Sequence, residues 1–311
     1  MSQRIANCLY KLIYRYTHSR RDRHNERLWP HVTLERDEEQ RIQSMSYRGR
    51  PIPLTTFEPA ERASRGSCHI IASGPSINDT DYTQLRLDHV MGVNGAIALA
   101  DRQPVHFDYY CFNDTGFVRN RPELIRKIMT ADLLLFTTPF CLWYVLQQMP
   151  AEDIRCRIFL FELPQIRAML PARTMPEVMA ENRHDALMLF DEHLSLGFSH
   201  DIRHGAFNAG TIAYTAFQIM VWLGYAEINL HGVDLKNAAS VPRFYETQAD
   251  KLPTTLDQYL NSDILPAFKQ AARMLHSSGV RIVNLSPDSA LAGDEFEARD
   301  WRTLATKNLP A

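Results

Sequence analysis

Short apolar runs that alternate with helix-like segments, from Cys68 onward, restrict the fold more than any other feature of this chain. CHIIAS, HVMGVN, FDYYCFND, DLLLFTT and RCRIFLFEL have the length and composition of buried strands. PELIRKIMTA, NAGTIAYTAFQIMVWLGY and LPAFKQAARMLHSSG are typical of helices, and AEINLHGVDL and VRIVNLSP add two later strands. This alternation predicts an α/β fold, a Rossmann-like and mostly parallel sheet with helices on both faces.

Small or polar residues follow the predicted strands where each strand ends. In IIASGPS, Gly74 permits a tight turn, Pro75 suits a first helical turn and Ser76 can cap a helix. Such a junction either binds a phosphate at the start of a helix or is an ordinary turn. The other strand ends are Asn94-Gly95, Asn113-Asp114, Gly232-Val233-Asp234 and Asn284-Leu285-Ser286-Pro287. Because parallel strands end at one edge of a sheet, these residues predict one shared polar cleft.

The composition fits a globular protein and argues against several functions. The chain has 311 residues, 45% of them hydrophobic, and a net charge of −2, which gives no reason to expect nucleic acid. Its five cysteines are scattered without a CxxC pair, so neither a disulfide framework nor a zinc site is expected, and a reducing cytoplasm is favoured. The Rossmann GxGxxG and the GxxxxGK[ST] motif are both missing, which disfavours NAD binding and Walker-type ATP hydrolysis.

One short motif could point to a metal. Asp79-Thr80-Asp81 spells the DxD that many sugar-nucleotide enzymes use to hold a metal at a diphosphate. It follows the Ser76 turn directly, where acidic residues favour the start of a helix. We therefore predict no metal and no cofactor.

The first 65 residues differ from the rest. Leu9, Ile13 and Tyr16 recur at helical spacing, and the surrounding charges are mainly basic: Arg4, Lys11, Arg15, Arg20, Arg21, Arg23 and Arg27. A basic amphipathic helix either lies on an anionic membrane surface or packs on its own domain or on a second subunit. Residues 36–65 are polar and interrupted by proline, which predicts a connecting arm. We expect a nucleotide-binding domain over residues 66–292 and a tail over 293–311, with no transmembrane helix or signal peptide.

The order of the motifs resembles that of a known family. IIASGPSINDTDYTQL, GVNGA, CFND, FNAGTIAYTAFQIMVWLGYAEINLHGVDL and NLSPDSAL are similar, in that order, to the bacterial CMP-sialic-acid-dependent sialyltransferases. The resemblance is closer to the WaaZ-type transferases, thought to add Kdo to the lipopolysaccharide inner core. GFSHDI, TIAYTAFQ, GVDL, PRFYE and NLSPDSAL bring it closest. It covers residues 68–291 and is thin between Leu142 and Ser195.

The resemblance implies a sialyltransferase-like variant of the GT-A fold and a metal-independent reaction on a CMP-activated keto-sugar acid. A CMP sugar leaves as a monophosphate, so less charge develops than on a diphosphate. The donor-binding positions of the family correspond to Gly74, Pro75, Ser76, Asn94, Gly95, Asn113, Asn208, Ala209, Gly210 and Gly232. Asn208 and Ala209 replace a threonine and a serine of the family.

The catalytic positions depart from the family pattern. Lys236 and Arg243 stand where the sialyltransferases place two tyrosines on the leaving phosphate, and a cation can stabilise the same charge. Gln258 replaces the family's histidine base, and glutamine cannot accept a proton. Glu246, Asp114 and Asp234 are therefore the candidates for the general base. Asp234 could equally hold its own loop.

Asp201 and His204 are candidates for the acceptor side of the site. The leading hypothesis is a glycosyltransferase that moves Kdo, or a related keto-sugar acid, from CMP-Kdo to a lipid-linked core oligosaccharide. It would work peripherally on the anionic inner face of the inner membrane. A homo-oligomer is left open. The alternatives are a phosphate-transfer enzyme such as a pyrophosphokinase and an inactive protein that binds sugar nucleotides or lipids.

Overall fold

The computed structural model describes residues 3–56, 65–286, 288–291 and 293–305. The strands of this part of the chain are β1 (Val32–Arg36), β2 (Ile42–Tyr47), β3 (Arg50–Ile52), β4 (Arg65–Ile71), β5 (Val90–Val93), β6 (Tyr109–Phe112), β7 (Leu134–Thr137), β8 (Arg157–Leu160), β9 (Leu187–Asp191), β10 (Leu196–Ser199), β11 (Tyr225–His231), β12 (Arg281–Asn284) and β13 (Glu297–Ala298). The α-helices are α1 (Gln3–Thr17), α2 (Thr115–Asn120), α3 (Pro122–Thr130), α4 (Pro139–Val145), α5 (Met175–Ala180), α6 (Ile212–Trp222), α7 (Leu256–Tyr259) and α8 (Leu265–His276).

Eight strands form one sheet in the order β13-β12-β11-β4-β5-β6-β7-β8, and every neighbouring pair is parallel. The chain runs outward from β4 to β8, crosses back to β11 beside β4, and continues to β13. This confirms the predicted parallel α/β fold. The order reverses between β4 and β11, and a sheet of this kind binds its ligands at that switch point.

Two hydrophobic cores cover the two faces of the sheet. Neighbouring residues of one strand belong to different cores: Ile70 and Leu134 face α6 and α8, whereas Ile71 and Leu135 face α3 and α4. Because both faces are buried, the strands have continuous apolar sequences, and this is why they could be recognised without an alternating pattern.

Residues 32–52 fold differently from the predicted connecting arm. β1, β2 and β3 form an antiparallel sheet, and Val32, Met45 and Ile52 are buried in the same core as α3 and α4. A strand with only one buried face needs few apolar residues, so the polar composition of this segment hid its strands. No helix in the described ranges has the length and apolar content needed to cross a membrane.

Candidate active site

A cavity of about 550 Å³ opens at the carboxyl ends of β4, β5, β6 and β11, beside the first turn of α6. It lies at the switch point between β4 and β11. Eleven of the residues predicted from the sequence line it: Gly74, Pro75, Asn94, Asn113, Asp114, Asn208, Gly210, Gly232, Asp234, Lys236 and Arg243. Four of the five predicted strand ends therefore meet in one polar cleft. Asn284, Leu285 and Ser286 of the fifth, at the end of β12, do not line it, and Pro287 lies outside the described residues.

Six predicted residues do not line this cavity: Ser76, Gly95, Ala209, Glu246, Asp201 and His204. Ala209 sits between two lining residues. Gly95 packs under the ring of Tyr245, since a Cβ on this glycine would lie 2.0 Å from Tyr245 Cε1. Asp201 forms an ion pair with Arg203, and His204 Nε2 lies 3.8 Å from Glu39. Both belong to the turn after β10, outside the cavity wall.

The Gly74–Ser76 turn is held by Asp234. The Ser76 backbone N–H donates to Asp234 Oδ2 at 2.9 Å, and the Ser76 hydroxyl donates to Asp234 Oδ1 at 2.5 Å. The short helix after Gly74 is a 3₁₀ turn over Pro75–Asp79 rather than an α-helix. A carboxylate of this chain therefore takes the donors that a phosphate would need at this turn.

Several residues in the loops around the cavity have a left-handed backbone conformation. Gly210 and Gly232 have φ of 78° and 65°, and four residues other than glycine in these loops also have positive φ: Asn94, Ala209, Leu235 and Asn237. A leucine with positive φ is strained, and such strain is often found where the backbone is shaped around a ligand. Position 232 also has no room for a side chain, because a Cβ on Gly232 would lie 2.6 Å from Ile77 Cγ1.

Two amide groups on the cavity wall have buried atoms without a hydrogen-bond partner among the described residues. These atoms are Oδ1 of Asn94, at the end of β5, and Nδ2 of Asn113, at the end of β6. Buried polar atoms are nearly always hydrogen-bonded, and leaving one unpaired costs about 1–3 kcal/mol. An acceptor and a donor left open on neighbouring strands are suited to a polar ligand.

The first turn of α6 forms another wall. Thr211 caps this helix by accepting a hydrogen bond from the backbone N–H of Ala213, and Gly210 to Ala213 line the cavity.

The buried Gln218, on the next turns of α6, accepts from the N–H groups of Ser199 and Phe207 and donates to the carbonyl of Phe207. Gln218 thus ties the segment before Asn208 to the helix. The sequence reasoning missed it, because a glutamine inside an apolar helix gives no indication of its partners.

Two cationic side chains line the cavity, and they differ in whether they form an ion pair. Lys236 is exposed and has no ion pair with any described residue. Arg243 donates through Nη1 to both carboxylate oxygens of Glu246, each at 3.0 Å. Its Nε and Nη2 make no hydrogen bond within the described part of the chain, which leaves them available to an anion.

The three candidate bases have different surroundings. Glu246 has a fully buried side chain that accepts from both Arg121 and Arg243, so it is an ion-pair partner. Asp234 uses both oxygens to hold Ser76. Asp114 is exposed on the cavity wall and uses only Oδ1, which accepts from the Gly116 N–H at the start of α2.

The DxD motif lies away from these groups. Asp81 caps a short 3₁₀ helix by accepting from the Thr83 N–H, and neither Asp79 nor Asp81 lines the cavity. Within the described ranges, no three His, Cys, Asp or Glu side chains are placed to hold one metal ion.

A family model described as 3-deoxy-D-manno-octulosonic acid transferase WaaZ matches residues 171–296. This range contains the first turn of α6, the end of β11 and the loop that carries Lys236 and Arg243. The match confirms the resemblance to the WaaZ-type transferases that the motifs indicated.

Two curated proteins are similar over most of the chain. A probable 3-deoxy-manno-octulosonic acid transferase of Salmonella typhimurium is 27% identical over 237 residues, which cover 73% of this chain and 84% of that protein. The protein of the same description from Escherichia coli is 27% identical over 239 residues, covering 72% and 79%.

Solved structures are similar at lower identity. The MAf glycosyltransferase of Magnetospirillum magneticum is 15% identical, with a TM-score of 0.46, and the match covers 81% of this chain but only 35% of that longer protein. A Campylobacter jejuni sialyltransferase solved with cytidine 5′-monophosphate is 14% identical, with a TM-score of 0.41, and the match covers 79% of this chain and 89% of that one.

Proposed function

We propose that this chain is a glycosyltransferase that moves Kdo from its CMP ester to a lipopolysaccharide inner-core acceptor. The main observation behind this proposal is the cavity at the switch point. Its wall carries the amide atoms of Asn94 and Asn113 that have no hydrogen-bond partner among the described residues, and the opposite loop contributes Lys236 and Arg243. A CMP-activated keto-sugar acid offers what such a wall requires, namely sugar hydroxyl groups and the amino and carbonyl groups of cytosine, together with a phosphate and a carboxylate. The family match over residues 171–296 and the two curated relatives support the choice of Kdo.

The proposed reaction is a direct displacement at the anomeric carbon. The acceptor oxygen forms a bond to this carbon while the bond to the CMP phosphate oxygen breaks, and CMP leaves with the bonding electrons. Lys236, together with Nε and Nη2 of Arg243, would stabilise the negative charge on the departing phosphate. Glu246 orients Arg243 for this role, and no metal is required in this scheme.

We propose Asp114 as the general base. It lines the cavity, and its Oδ2 accepts no hydrogen bond from a described residue, whereas the oxygens of Asp234 and Glu246 are taken up by Ser76 and by two arginines. The proton of the acceptor hydroxyl would pass to Oδ2 as the new bond forms.

The membrane contact is proposed for one face of α1. Leu9, Leu12, Ile13 and Tyr16 on this helix are exposed, between 40% and 85%, while Tyr14 is buried against Trp29. The helix thus keeps an apolar stripe on its outside. Such a stripe, with basic residues around it, is suited to the surface of an anionic bilayer.

The test is an assay with CMP-Kdo and a Kdo-bearing lipid A acceptor, read as CMP release and as the mass of the product. We expect turnover in the presence of EDTA. We expect Asp114→Asn to lower kcat about 100-fold or more, the usual size of general-base catalysis, while CMP still raises the melting temperature. Glu192→Gln, on the turn between β9 and β10, is the matched control.

Three results would contradict parts of the proposal. Binding of CMP without turnover by the native protein would make it a binding protein. Stabilisation by ATP but not by CMP or CTP would favour a phosphate-transfer enzyme. An Asp114→Asn variant with native kcat would remove Asp114 as the base.

A further inference from the structure

Two arginines share one tyrosine ring beside the cavity. The guanidinium carbon of Arg27 lies 5.8 Å from the centre of the Tyr144 ring, and that of Arg119 lies 5.5 Å from the same centre. The two cations are therefore within about 11 Å of each other. Their side chains come from distant parts of the chain: Arg27 ends the 3₁₀ helix after α1, and Arg119 is on α2.

Neither arginine forms an ion pair with a carboxylate in the described part of the chain, although neighbouring arginines do. Arg15 pairs with Glu26, and Arg21 pairs with Glu177. Arg27 and Arg119 are both exposed. Two like charges brought together on an aromatic ring, without a carboxylate between them, favour the approach of an anion.

Arg119 lies on α2, close to the cavity, and Arg27 lies on the 3₁₀ helix that follows α1. Arg119 is one helical turn from Thr115, which lines the cavity, and its Nε donates to the Thr115 carbonyl at 3.2 Å. Four residues of α-helix correspond to about 6 Å along the axis. On the other side, the segment that carries Arg27 packs against the residues that follow β7 and β8, where His24 contacts Phe140 and the Arg167 carbonyl.

We infer that Arg27, Arg119 and Tyr144 form an acceptor subsite that binds an anionic group, a carboxylate or phosphate, of the acceptor saccharide. This inference rests on the proposed function. With the attacking hydroxyl at Asp114, the next sugar toward the lipid lies within reach of Arg119. The guanidinium groups bind the anion through charge-assisted hydrogen bonds, and the tyrosine ring positions both of them.

The test compares the native protein with the double variant Arg27→Gln/Arg119→Gln. We expect the KM for the acceptor to rise about ten-fold or more, as for the loss of charge-assisted hydrogen bonds, while the KM for CMP-Kdo stays within two-fold. Arg302→Gln is the matched control, because Arg302 also lies over an aromatic ring, 4.8 Å from the centre of Trp301, but pairs with Asp300.

A second acceptor separates the saccharide from the membrane as the source of the anion. With a delipidated acceptor oligosaccharide in solution, the same rise in KM supports the subsite. A rise seen only with acceptor in vesicles assigns the arginines to lipid headgroups and overturns it, as does an unchanged KM with both acceptors.

Failure of the proposed function gives a different result. In that case the native protein shows no turnover with any acceptor and no stabilisation by CMP. The subsite is then tested by direct titration of the delipidated oligosaccharide against the native protein and the double variant. Equal binding by both contradicts it.

Discussion

Gly74 shows at the scale of one residue how closely the turn after β4 is packed. Its φ of −65° is open to any residue, so the backbone conformation does not require glycine. The neighbours do: a Cβ at this position would lie 2.4 Å from Asp234 Oδ2 and 2.5 Å from the Gly232 carbonyl oxygen. The glycine lets two strand ends approach each other at the floor of the cavity.

We expect Gly74→Ala to displace the turn and weaken the contact between Ser76 and Asp234. Overpacking of this kind costs about 1–3 kcal/mol, to be measured by urea unfolding, and the stabilisation by CMP should fall at the same time. Gly66→Ala is the control on β4, the strand that leads to this turn, since a Cβ there would meet nothing within 4 Å. Equal losses in the two variants would contradict this explanation.

A buried pair of histidines lies beneath the same turn. His69 Nδ1 is 3.0 Å from His231 Nε2, and the Tyr82 hydroxyl is 3.3 Å from His231 Nδ1. Burial lowers the pKa of His69 to about 4 and the pKa of His231 well below its ordinary value. Both rings are therefore neutral at pH 7, where one ring nitrogen donates to the other.

This pair predicts a loss of stability in mild acid. In the unfolded chain both histidines bind protons near pH 6.5, whereas in the folded chain the pKa of His69 is about 4 and burial holds the pKa of His231 well below its ordinary value. The stabilisation that the two neutral histidines provide is therefore complete above pH 6.5. As the pH falls below 6.5, the free energy of unfolding decreases by up to about 1.4 kcal/mol per pH unit for each histidine.

Urea unfolding between pH 7 and pH 5 measures this slope, above the range where most carboxylates titrate. His69→Gln should lower the slope by up to about 1.4 kcal/mol per pH unit, the contribution of one histidine, while the exposed His276→Gln should leave it unchanged. A slope that is the same in all three proteins would show that the pair does not set it.

At the scale of elements, α6 is the helix that forms the wall of the cavity. Its eleven residues are almost all buried, yet it carries Gln218, whose side chain is buried with four hydrogen bonds. Two of these fix the backbone of Phe207, just before Asn208. The position of the segment that begins at Asn208, for which we propose donor binding, therefore depends on a residue that does not line the cavity.

We expect Gln218→Leu to lower the free energy of unfolding by roughly 3 kcal/mol or more, because the buried N–H groups of Ser199 and Phe207 lose their acceptor. Denaturant unfolding measures the loss. Gln147→Leu, at an exposed position just after α4, should change stability by no more than about 0.5 kcal/mol. A tolerated Gln218→Leu would mean that water replaces the amide.

The loop between β11 and α7 is the second element that shapes the cavity. Glu246 joins this loop to the start of α3, because its buried carboxylate accepts from Arg121 as well as from Arg243. The loop contributes Lys236 and Arg243 to one wall, so a carboxylate outside the cavity sets the direction of a cation inside it.

At the scale of the whole molecule, the N-terminal region and the cavity share one edge of the sheet. Asn25, in the 3₁₀ helix after α1, is fully buried between the Met169 N–H and the Leu170 carbonyl, in the segment after β8. The proposed membrane contact on α1 would thus bring a lipid-linked acceptor toward the opening of the cavity.

We expect Leu12→Ser/Ile13→Ser to weaken binding to vesicles that contain phosphatidylglycerol by at least about ten-fold, since each apolar side chain contributes on the order of 1–2 kcal/mol at an interface. Sedimentation with vesicles measures the binding. Met188→Ser, at an exposed methionine of β9, is the control. Unchanged sedimentation of the α1 variant would exclude this stripe as the contact.

Local sequence patterns were enough to predict much of the fold. β4 to β8, β11 and β12 were predicted because two buried faces demand apolar runs, and α3, α6 and α8 because of their length and periodicity. β13, which lies in the predicted tail, is only two residues long and was not predicted. β1, β2 and β3 were missed because they are held by pairing with one another and by packing on a distant core. Only a few apolar residues mark them in the sequence.

What the sequence determined by itself is which residues end the strands and therefore meet at one edge, since parallel strands leave no other place for them. What only the tertiary structure decided is which group each carboxylate contacts. Asp234 accepts hydrogen bonds from Ser76 across 158 positions, and Glu246 pairs with Arg121 across 125, so the oxygens of both are occupied, while Asp114 Oδ2 accepts no hydrogen bond from a described residue. Such contacts depend on distances between folded segments, and no local pattern contains those distances.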